Sequence, residues 1–246
     1  MKNHSPKIFQ KPRDTIGALR KRIRLIVEKL HAAYGEADLG NLENPVDELV
    51  FISLTRRTSG RSAHRSWNAV ANAGGPATLV DMPEEVLTEL LRSGGFSRQK
   101  ARWIKQSLDM VRREMGALNL DATLSWSDEK LEQFLRSLPG INIKSAKCIM
   151  LYSMGRQVLP VDTHVRRVAA RIGLVSEGLS ESRIHRELEM AIPRRHRFGF
   201  HVNSVWHGRL VCKAPRPNCD SCIIRQHCDT GRSKHHKEST NVIGSE

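Results

Sequence analysis

The sequence has 246 residues, enough for one large domain or two modest ones, each with its own hydrophobic core. Its formal net charge of +14 favours a polyanionic partner, and nucleic acid is the commonest such partner; the alternative is a protein whose basic faces are simply solvated. No apolar stretch is long enough to cross a bilayer, and the basic first residues lack the apolar segment of a secretory signal. The sequence therefore predicts no membrane association and a cytoplasmic, nucleoid-associated location.

Helical periodicity dominates the chain, and no alternating pattern typical of a β-strand is present. An apolar stripe runs from Leu19 to Leu30 of the first predicted helix, and residues 46–54 are apolar enough for a buried helix. Asp81, Ser97 and Ser127 are predicted helix caps. Further helices are predicted at residues 62–73, 163–172 and 181–191. Three more are predicted to begin after Pro83, Ser97 and Ser127, and another is predicted to end at about Met154. The predicted fold class is all-α.

The segment Leu138-Pro-Gly-Ile-Asn-Ile-Lys144 lies between two predicted helices. Gly140 permits the positive φ of a tight turn, and the next helix would point free backbone N–H groups outward, where they suit a phosphate. Lys144 lies at or just inside the start of that helix, whose dipole disfavours a charged amine, so it is a candidate Schiff-base nucleophile. The alternatives are an ordinary structural turn and a surface lysine that binds phosphate as a point charge.

A single acid, Asp162, precedes the next predicted helix in the segment Pro160-Val-Asp-Thr-His164. It could cap that helix through its side chain. It could also stabilise positive charge on a reacting sugar and help to deprotonate the lysine. The spacing leaves both roles open.

Four of the five cysteines lie close together with the spacing C-x6-C-x2-C-x5-C, namely Cys212, Cys219, Cys222 and Cys228. The fifth, Cys148, lies in a helical pattern and is predicted to be a small buried residue. Without an export signal a disulfide framework is not expected. Zinc ribbons usually have two C-x2-C pairs, and only one is present, so the spacing favours an iron–sulfur cluster over zinc.

The hairpin segment, the segment around Asp162 and the four cysteines occur in the order found in the endonuclease III group of helix-hairpin-helix DNA glycosylases. The resemblance extends from about Val46 to Cys228, and residues 144–175 also resemble plant DEMETER-type 5-methylcytosine glycosylases. It implies a two-lobed all-α fold. The implied parts are a basic arm at 1–13, an iron–sulfur lobe at 14–35 and 156–229, a six-helix lobe at 36–155 with the helix-hairpin-helix at 127–154, and a disordered tail at 230–246.

The resemblance also implies roles for individual residues. Lys144 falls on the nucleophile, Asp162 on the catalytic aspartate, and the four clustered cysteines on the ligands of a [4Fe–4S] cluster. The predicted DNA contacts are Arg56, Arg57, Leu138, Gly140, Ile141, Asn142, Ser145 and His164. Two positions depart from the family pattern. Asn142 replaces a second hairpin glycine, which asparagine can do because it tolerates left-handed backbone, and Arg56-Arg57 replace a glutamine-containing intercalating segment.

The predicted function is that of a bifunctional DNA glycosylase and AP lyase of base excision repair, acting as a monomer on duplex DNA with a damaged or modified base or an abasic site. An oxidised pyrimidine is the expected base, and 5-methylcytosine, mismatched thymine or another modified base remain open. One alternative is a monofunctional glycosylase for a mismatched or modified base. The other is a non-catalytic DNA-binding redox sensor.

Overall fold

The computed structural model describes residues 16–35, 39–176 and 178–233, and within these ranges the chain forms helices and short 3-10 turns but no β-strand. The all-α prediction is confirmed. None of the helices in these ranges is long and apolar enough to cross a membrane. The predicted basic arm, 1–13, and residues 234–246 of the predicted tail lie outside the described residues, whereas residues 230–233 of that tail are helical.

The chain divides into two compact units, which we call the central unit, residues 40–160, and the terminal unit, residues 1–39 and 161–246. The terminal unit contains α1, α9, α10 and α11, and the central unit contains α2 to α8. In chain order the helices are α1 (Ile16–Tyr34), α2 (Pro45–Thr55), α3 (Gly60–Asn72), α4 (Pro76–Asp81), α5 (Glu84–Leu90), α6 (Ser97–Met115), α7 (Asp128–Ser137), α8 (Ile143–Tyr152), α9 (Thr163–Arg171), α10 (Glu181–Ala191) and α11 (Arg197–Leu210).

Helix α2 lies at the centre of the central unit, where it packs against α3, α6 and α8. All its residues from Val46 to Leu54 except Asp47 are buried, which agrees with the apolar composition of this segment. The core of the unit is built from the apolar stripes of the surrounding helices, including Ile104 and Leu108 of α6 and Leu131 and Leu135 of α7. This packing fixes the two ends of α2, where Glu48 and Arg56 lie.

Three predicted caps have different outcomes. Ser127 is the N-cap of α7, because its side chain accepts a hydrogen bond from the Lys130 amide at 3.2 Å. Asp81 caps no helix, since it is the last residue of α4, a short helix that begins at Pro76 and is not predicted from the sequence. Ser97 is the first residue of α6 rather than its cap, and the cap position is held by Phe96 in a left-handed conformation.

Helix α11 was also missed from the sequence. It packs against both α1 and α9, and its buried residues include polar ones such as His201, Asn203 and His207. A helix that is buried on several faces and carries polar residues there shows no clean apolar stripe, so periodicity gave no signal. Cys148, by contrast, is 2% exposed, which confirms its predicted burial.

Candidate active site

The turn between α7 and α8 holds the first group of predicted site residues. Leu138 and Ile141 have buried side chains, and the Ile141 amide donates to the Leu138 carbonyl oxygen at 3.1 Å. Gly140 has a φ of +81°, as predicted. A Cβ atom on Gly140 would lie 2.7 Å from the ring of Trp103, so glycine is required here both by the backbone and by the close approach of α6. The hairpin can therefore present its backbone, and not these two side chains, to a ligand.

Asn142 sustains the turn in a different way from that predicted. Its φ of −93° is extended, not left-handed, and it is the N-cap of α8. Its side-chain oxygen accepts a hydrogen bond from the amide of Ser145 at 2.9 Å. Asparagine is therefore accommodated as a capping residue, and the expectation of a left-handed backbone at this position is wrong.

Lys144 is the second residue of α8 and is partly exposed. Its charge acts on Glu48, a completely buried carboxyl group in the first turn of α2. Burial raises the pKa of Glu48 to about 7, although hydrogen bonds from the Leu42 amide and the Asn41 side chain, together with the charge of Lys144, act in the opposite direction. A titratable carboxyl group that the sequence does not predict therefore lies within electrostatic reach of the candidate nucleophile.

Arg56 and Arg57 follow α2 directly but differ in their surroundings. The guanidinium of Arg56 donates to the carbonyl oxygen of Gly140, and its Cζ lies 4.9 Å from the centroid of the Trp103 ring. Arg57 is exposed, has a φ of +50°, and its Cζ lies 5.8 Å from the ring centroid of Phe96. Arg56 therefore supports the hairpin from within the protein, whereas Arg57 is directed to the surface.

Asp162 belongs to the terminal unit, where it is the N-cap of α9. Its Oδ1 accepts hydrogen bonds from the amides of His164 at 2.9 Å and Val165 at 2.8 Å. Within the described residues its Oδ2 makes no hydrogen bond. The Nδ1 atom of His164 lies 3.0 Å from the guanidinium of Arg167. His164 also packs closely against Gly208, since a Cβ atom on that glycine would lie 2.8 Å from the His164 Cβ. One carboxylate oxygen thus organises the helix start and the other remains for a second role.

The four clustered cysteines line one cavity in the terminal unit. All four are free thiols; Cys212 and Cys228 are buried, and Cys219 and Cys222 are half-buried. The cavity carries donors for sulfur: Arg171 Nη1 lies 3.2 Å from the Cys212 Sγ, and the Gly231 amide lies 3.4 Å from the Cys228 Sγ. Burial, together with the charges of the three neighbouring thiols, raises the pKa of Cys222 to about 11. Thiolates crowded in this way require a cationic centre to be stable together.

Comparison with known proteins identifies the family. The HhH-GPD superfamily of base excision DNA repair proteins matches residues 52–194. Endonuclease III of Treponema pallidum is 31% identical over 212 residues, covering 85% of this chain and 95% of that protein. The chain belongs to the endonuclease III-like HhH-GPD glycosylases. The transcriptional activator DEMETER of Arabidopsis thaliana is 26% identical over 159 residues, 58% of this chain and 8% of that protein.

The fold of this family is confirmed by solved structures. A trapped endonuclease III–DNA covalent intermediate superposes with a TM-score of 0.76 at 24% identity, covering 88% of this chain and 98% of that one. As an endonuclease III-like protein, the chain is a base excision repair DNA glycosylase with AP lyase activity. The resemblance noted in the sequence is confirmed at this level.

Several residues of this glycosylase around the candidate site had not been singled out from the sequence. Trp103 packs against the hairpin, and the carboxyl group of Glu48 interacts electrostatically with Lys144. Lys100 is buried although it is charged. A signal was present for Lys100, because it falls on the apolar stripe of α6 formed by Ile104, Leu108 and Val111. A charged residue on a buried stripe is rarely without a specific partner.

Proposed function

We propose that Lys144 attacks C1′ of the damaged nucleotide and displaces the base. The observation that carries this proposal is the position of Lys144, a partly exposed amine in the first turn of α8 directly after the Gly140 turn. The N-terminal end of a helix disfavours the charged amine and favours the neutral one that attacks. The new C1′–N bond forms as the bond to the base breaks, and the resulting Schiff base allows β-elimination of the 3′ phosphate.

Backbone groups of the hairpin would hold the DNA phosphate. Support comes from the burial of the Leu138, Ile141 and Ser145 side chains, so that an anion at Gly140 or at the start of α8 would meet the main chain. Such contacts carry no sequence information, as expected for an enzyme that must work in any sequence context. Asn142 is exposed and can add a side-chain contact.

Asp162 would stabilise positive charge on the sugar as the base leaves and assist proton transfer from the lysine. The support is chemical: Oδ1 is fixed by two amides of α9, so the direction of the carboxylate is set before substrate binds. Arg57 would contact DNA at the extruded base, and Arg56 would act mainly by holding the hairpin. His164 is a further proposed DNA contact. The base is a damaged or modified one, with an oxidised pyrimidine as the first candidate.

The four thiols of the cavity would hold a [4Fe–4S] cluster. Support comes from the four cysteines that line this one cavity, because four thiolates are the usual ligands of such a cluster, as expected of the family. When bound, the cluster would supply iron–thiolate bonds that fix the loop carrying Lys213, Arg216 and Arg225. These basic side chains, and not the cluster, would face DNA.

We further propose that the two compact units, residues 40–160 and residues 1–39 with 161–246, are the two lobes that the sequence placed at 36–155 and at 14–35 with 156–229. The protein would act as a monomer in the compartment that contains the DNA.

The experiment compares Lys144→Gln with Lys130→Gln, since Lys130 is an exposed lysine on α7 of the same hairpin. Each protein is incubated with an abasic duplex and borohydride, and the covalent adduct is measured. We expect the wild type and Lys130→Gln to form adduct and Lys144→Gln to form none. An unchanged adduct yield in Lys144→Gln refutes the nucleophile assignment. Strand cleavage only after alkali in the wild type would instead indicate a monofunctional glycosylase.

A further inference from the structure

Lys100 connects two separate loops of the central unit. It lies near the start of α6 and is 1% exposed. Its Nζ donates to the Leu54 carbonyl oxygen at 2.8 Å, to the Gly94 carbonyl oxygen at 3.1 Å and to the Thr58 hydroxyl. Leu54 and Thr58 belong to the end of α2 and the loop after it, and Gly94 belongs to the 3-10 turn before α6. Since an ammonium has three donors, one side chain satisfies an acceptor in each segment.

The tips of these two loops share an unusual backbone. Arg57 has a φ of +50° and Phe96 a φ of +52°, and among the described residues they are the two non-glycine residues with positive φ. Such conformations persist only where the surrounding structure holds them, and they cluster at functional sites. Lys100 supplies this support, because its acceptors flank Arg57 on one loop and lie two residues before Phe96 on the other.

The two tips also form one surface. The guanidinium Cζ of Arg57 lies 5.8 Å from the Phe96 ring centroid, and Phe96 is 59% exposed. A large aromatic ring held in solvent by a left-handed backbone is costly for the folded protein. Beside a cation it suits duplex DNA, because the cation can bind a phosphate while the ring packs against a base step. A second bond, from the Thr58 hydroxyl to the Gly94 carbonyl oxygen at 2.6 Å, closes the loops on each other.

We propose that Lys100 is a positioning residue that holds Arg57 and Phe96 side by side as one surface for duplex DNA. This inference rests on the proposed function. Lys100 is buried and touches no DNA itself; it acts by ordering the two tips before binding, which lowers the entropy that binding must otherwise cost. Its removal should weaken the engagement of duplex DNA and leave the chemistry at Lys144 unchanged.

The chain contains a matched control on the same helix. Lys105 is also in α6, and its Nζ donates to the carbonyl oxygens of Val80 at 2.8 Å, Leu79 at 3.4 Å and Met82. Lys105 therefore joins α6 to the C-terminal end of α4 and the residue after it, a segment that carries neither exposed tip. Replacing either lysine removes three hydrogen bonds to neighbouring segments.

The test uses Lys100→Met and Lys105→Met with two substrates, an abasic duplex and a single-stranded oligonucleotide with the same abasic site. Borohydride adduct is measured against substrate concentration. For Lys100→Met we expect the half-saturating concentration of duplex to rise about tenfold, because two side chains must be ordered on binding. Its maximal rate and its behaviour on single strands should match the wild type. Lys105→Met should match the wild type on both substrates.

Equal effects of the two substitutions on duplex, or equal loss by Lys100→Met on duplex and single strands, would overturn the inference. Absence of adduct in the wild type with either substrate would instead overturn the proposed function. If Lys100→Met does not fold, Thr58→Val tests the same link, because it removes the hydroxyl between Lys100 and Gly94. A folded Thr58→Val protein with wild-type duplex affinity would contradict the positioning role, and a duplex-selective loss supports it.

Discussion

The guanidinium of Arg56 donates a hydrogen bond to the carbonyl oxygen of Gly140. Through this contact the loop after α2 is attached to the hairpin turn, and Trp103 of α6 covers both partners. The adjacent Arg57 takes no part in it and is exposed. Two neighbouring arginines that look equivalent in the sequence thus serve different purposes, one within the protein and one at its surface.

This difference can be measured with Arg56→Met and Arg57→Met. We expect Arg56→Met to lower the free energy of unfolding by about 1.5–3 kcal/mol, the usual contribution of a hydrogen bond that involves a charged group. Arg57→Met should change it by no more than about 0.5 kcal/mol, as for other surface residues, and should weaken DNA binding instead. Urea unfolding and a duplex-binding titration give the two quantities. Equal stability losses in the two variants would contradict the assignment.

Gly140→Ala should be far more disruptive than Gly155→Ala. Both glycines have positive φ, +81° and +62°, so both substitutions cost about 1–2 kcal/mol for the left-handed backbone. Only Gly140 also meets a neighbour, since its Cβ would lie 2.7 Å from Trp103 whereas no atom lies within 4 Å at Gly155. We expect this overpacking to cost about 1–3 kcal/mol more in urea unfolding. Similar stabilities of the two variants would mean that Trp103 moves aside freely.

Asp162 has a capping role and a proposed charge role, and two substitutions separate them. Asn keeps an oxygen that can accept from the amides of His164 and Val165, but it has no charge. Asp162→Asn should therefore keep nearly full stability and lose about 10²- to 10⁴-fold in base excision. Asp162→Ala should lose activity and also about 1 kcal/mol of stability. If Asp162→Asn excised the base at the wild-type rate, helix capping would be the only role that remains for Asp162.

Glu48 predicts a specific dependence of stability on pH. Its pKa rises from the ordinary value of 4.5 to about 7 in the folded protein, so between these values the folded state binds more protons than the unfolded state. The contribution of Glu48 to stability is therefore largest below pH 4.5 and is lost as the pH rises towards 7.

Glu48→Gln should remove this part of the pH dependence, because glutamine does not titrate. Glu43→Gln is the control, since Glu43 is exposed in the same segment and should leave the pH dependence unchanged. Thermal unfolding measured at intervals from pH 4 to 8 for the three proteins provides the comparison. A wild-type slope in Glu48→Gln would show that other groups account for it.

The cysteine cavity predicts the metal content of the purified protein. Anaerobically prepared protein should contain about four iron and four sulfide ions per chain. Cys222→Ser should lower the iron content and the Tm, whereas Cys148→Ser should leave the iron content unchanged because Cys148 is buried in the central unit. Colourless protein with one zinc ion per chain would show that the cavity holds a different centre.

Much of the fold follows from local sequence signals. Ser127 and Gly140 show their roles directly, because a serine before an apolar stripe and a glycine between two helices each have a specific backbone function. Helix α10 ends where Pro193 predicts. These signals depend on neighbours in the chain and need no knowledge of the fold.

The missed features depend on contacts between distant residues. Helix α11 has no apolar periodicity because several elements surround it. The roles of Arg56, Lys100 and Glu48 arise from partners that are 84, 46 and 96 positions away in the chain, at Gly140, Leu54 and Lys144. The left-handed backbone of Phe96 depends on the loops packed around it, so no local sequence signal predicts it.

The most direct test of the central claim is to identify the residue that becomes linked to DNA. The wild-type enzyme is reduced with borohydride on an abasic duplex, digested with trypsin and analysed by mass spectrometry. Because a modified lysine resists trypsin, the account predicts that the nucleotide is carried by the peptide of residues 137–147, on Lys144. Linkage at any other amine, or recovery of unmodified Lys144 from the purified covalent complex, would contradict it.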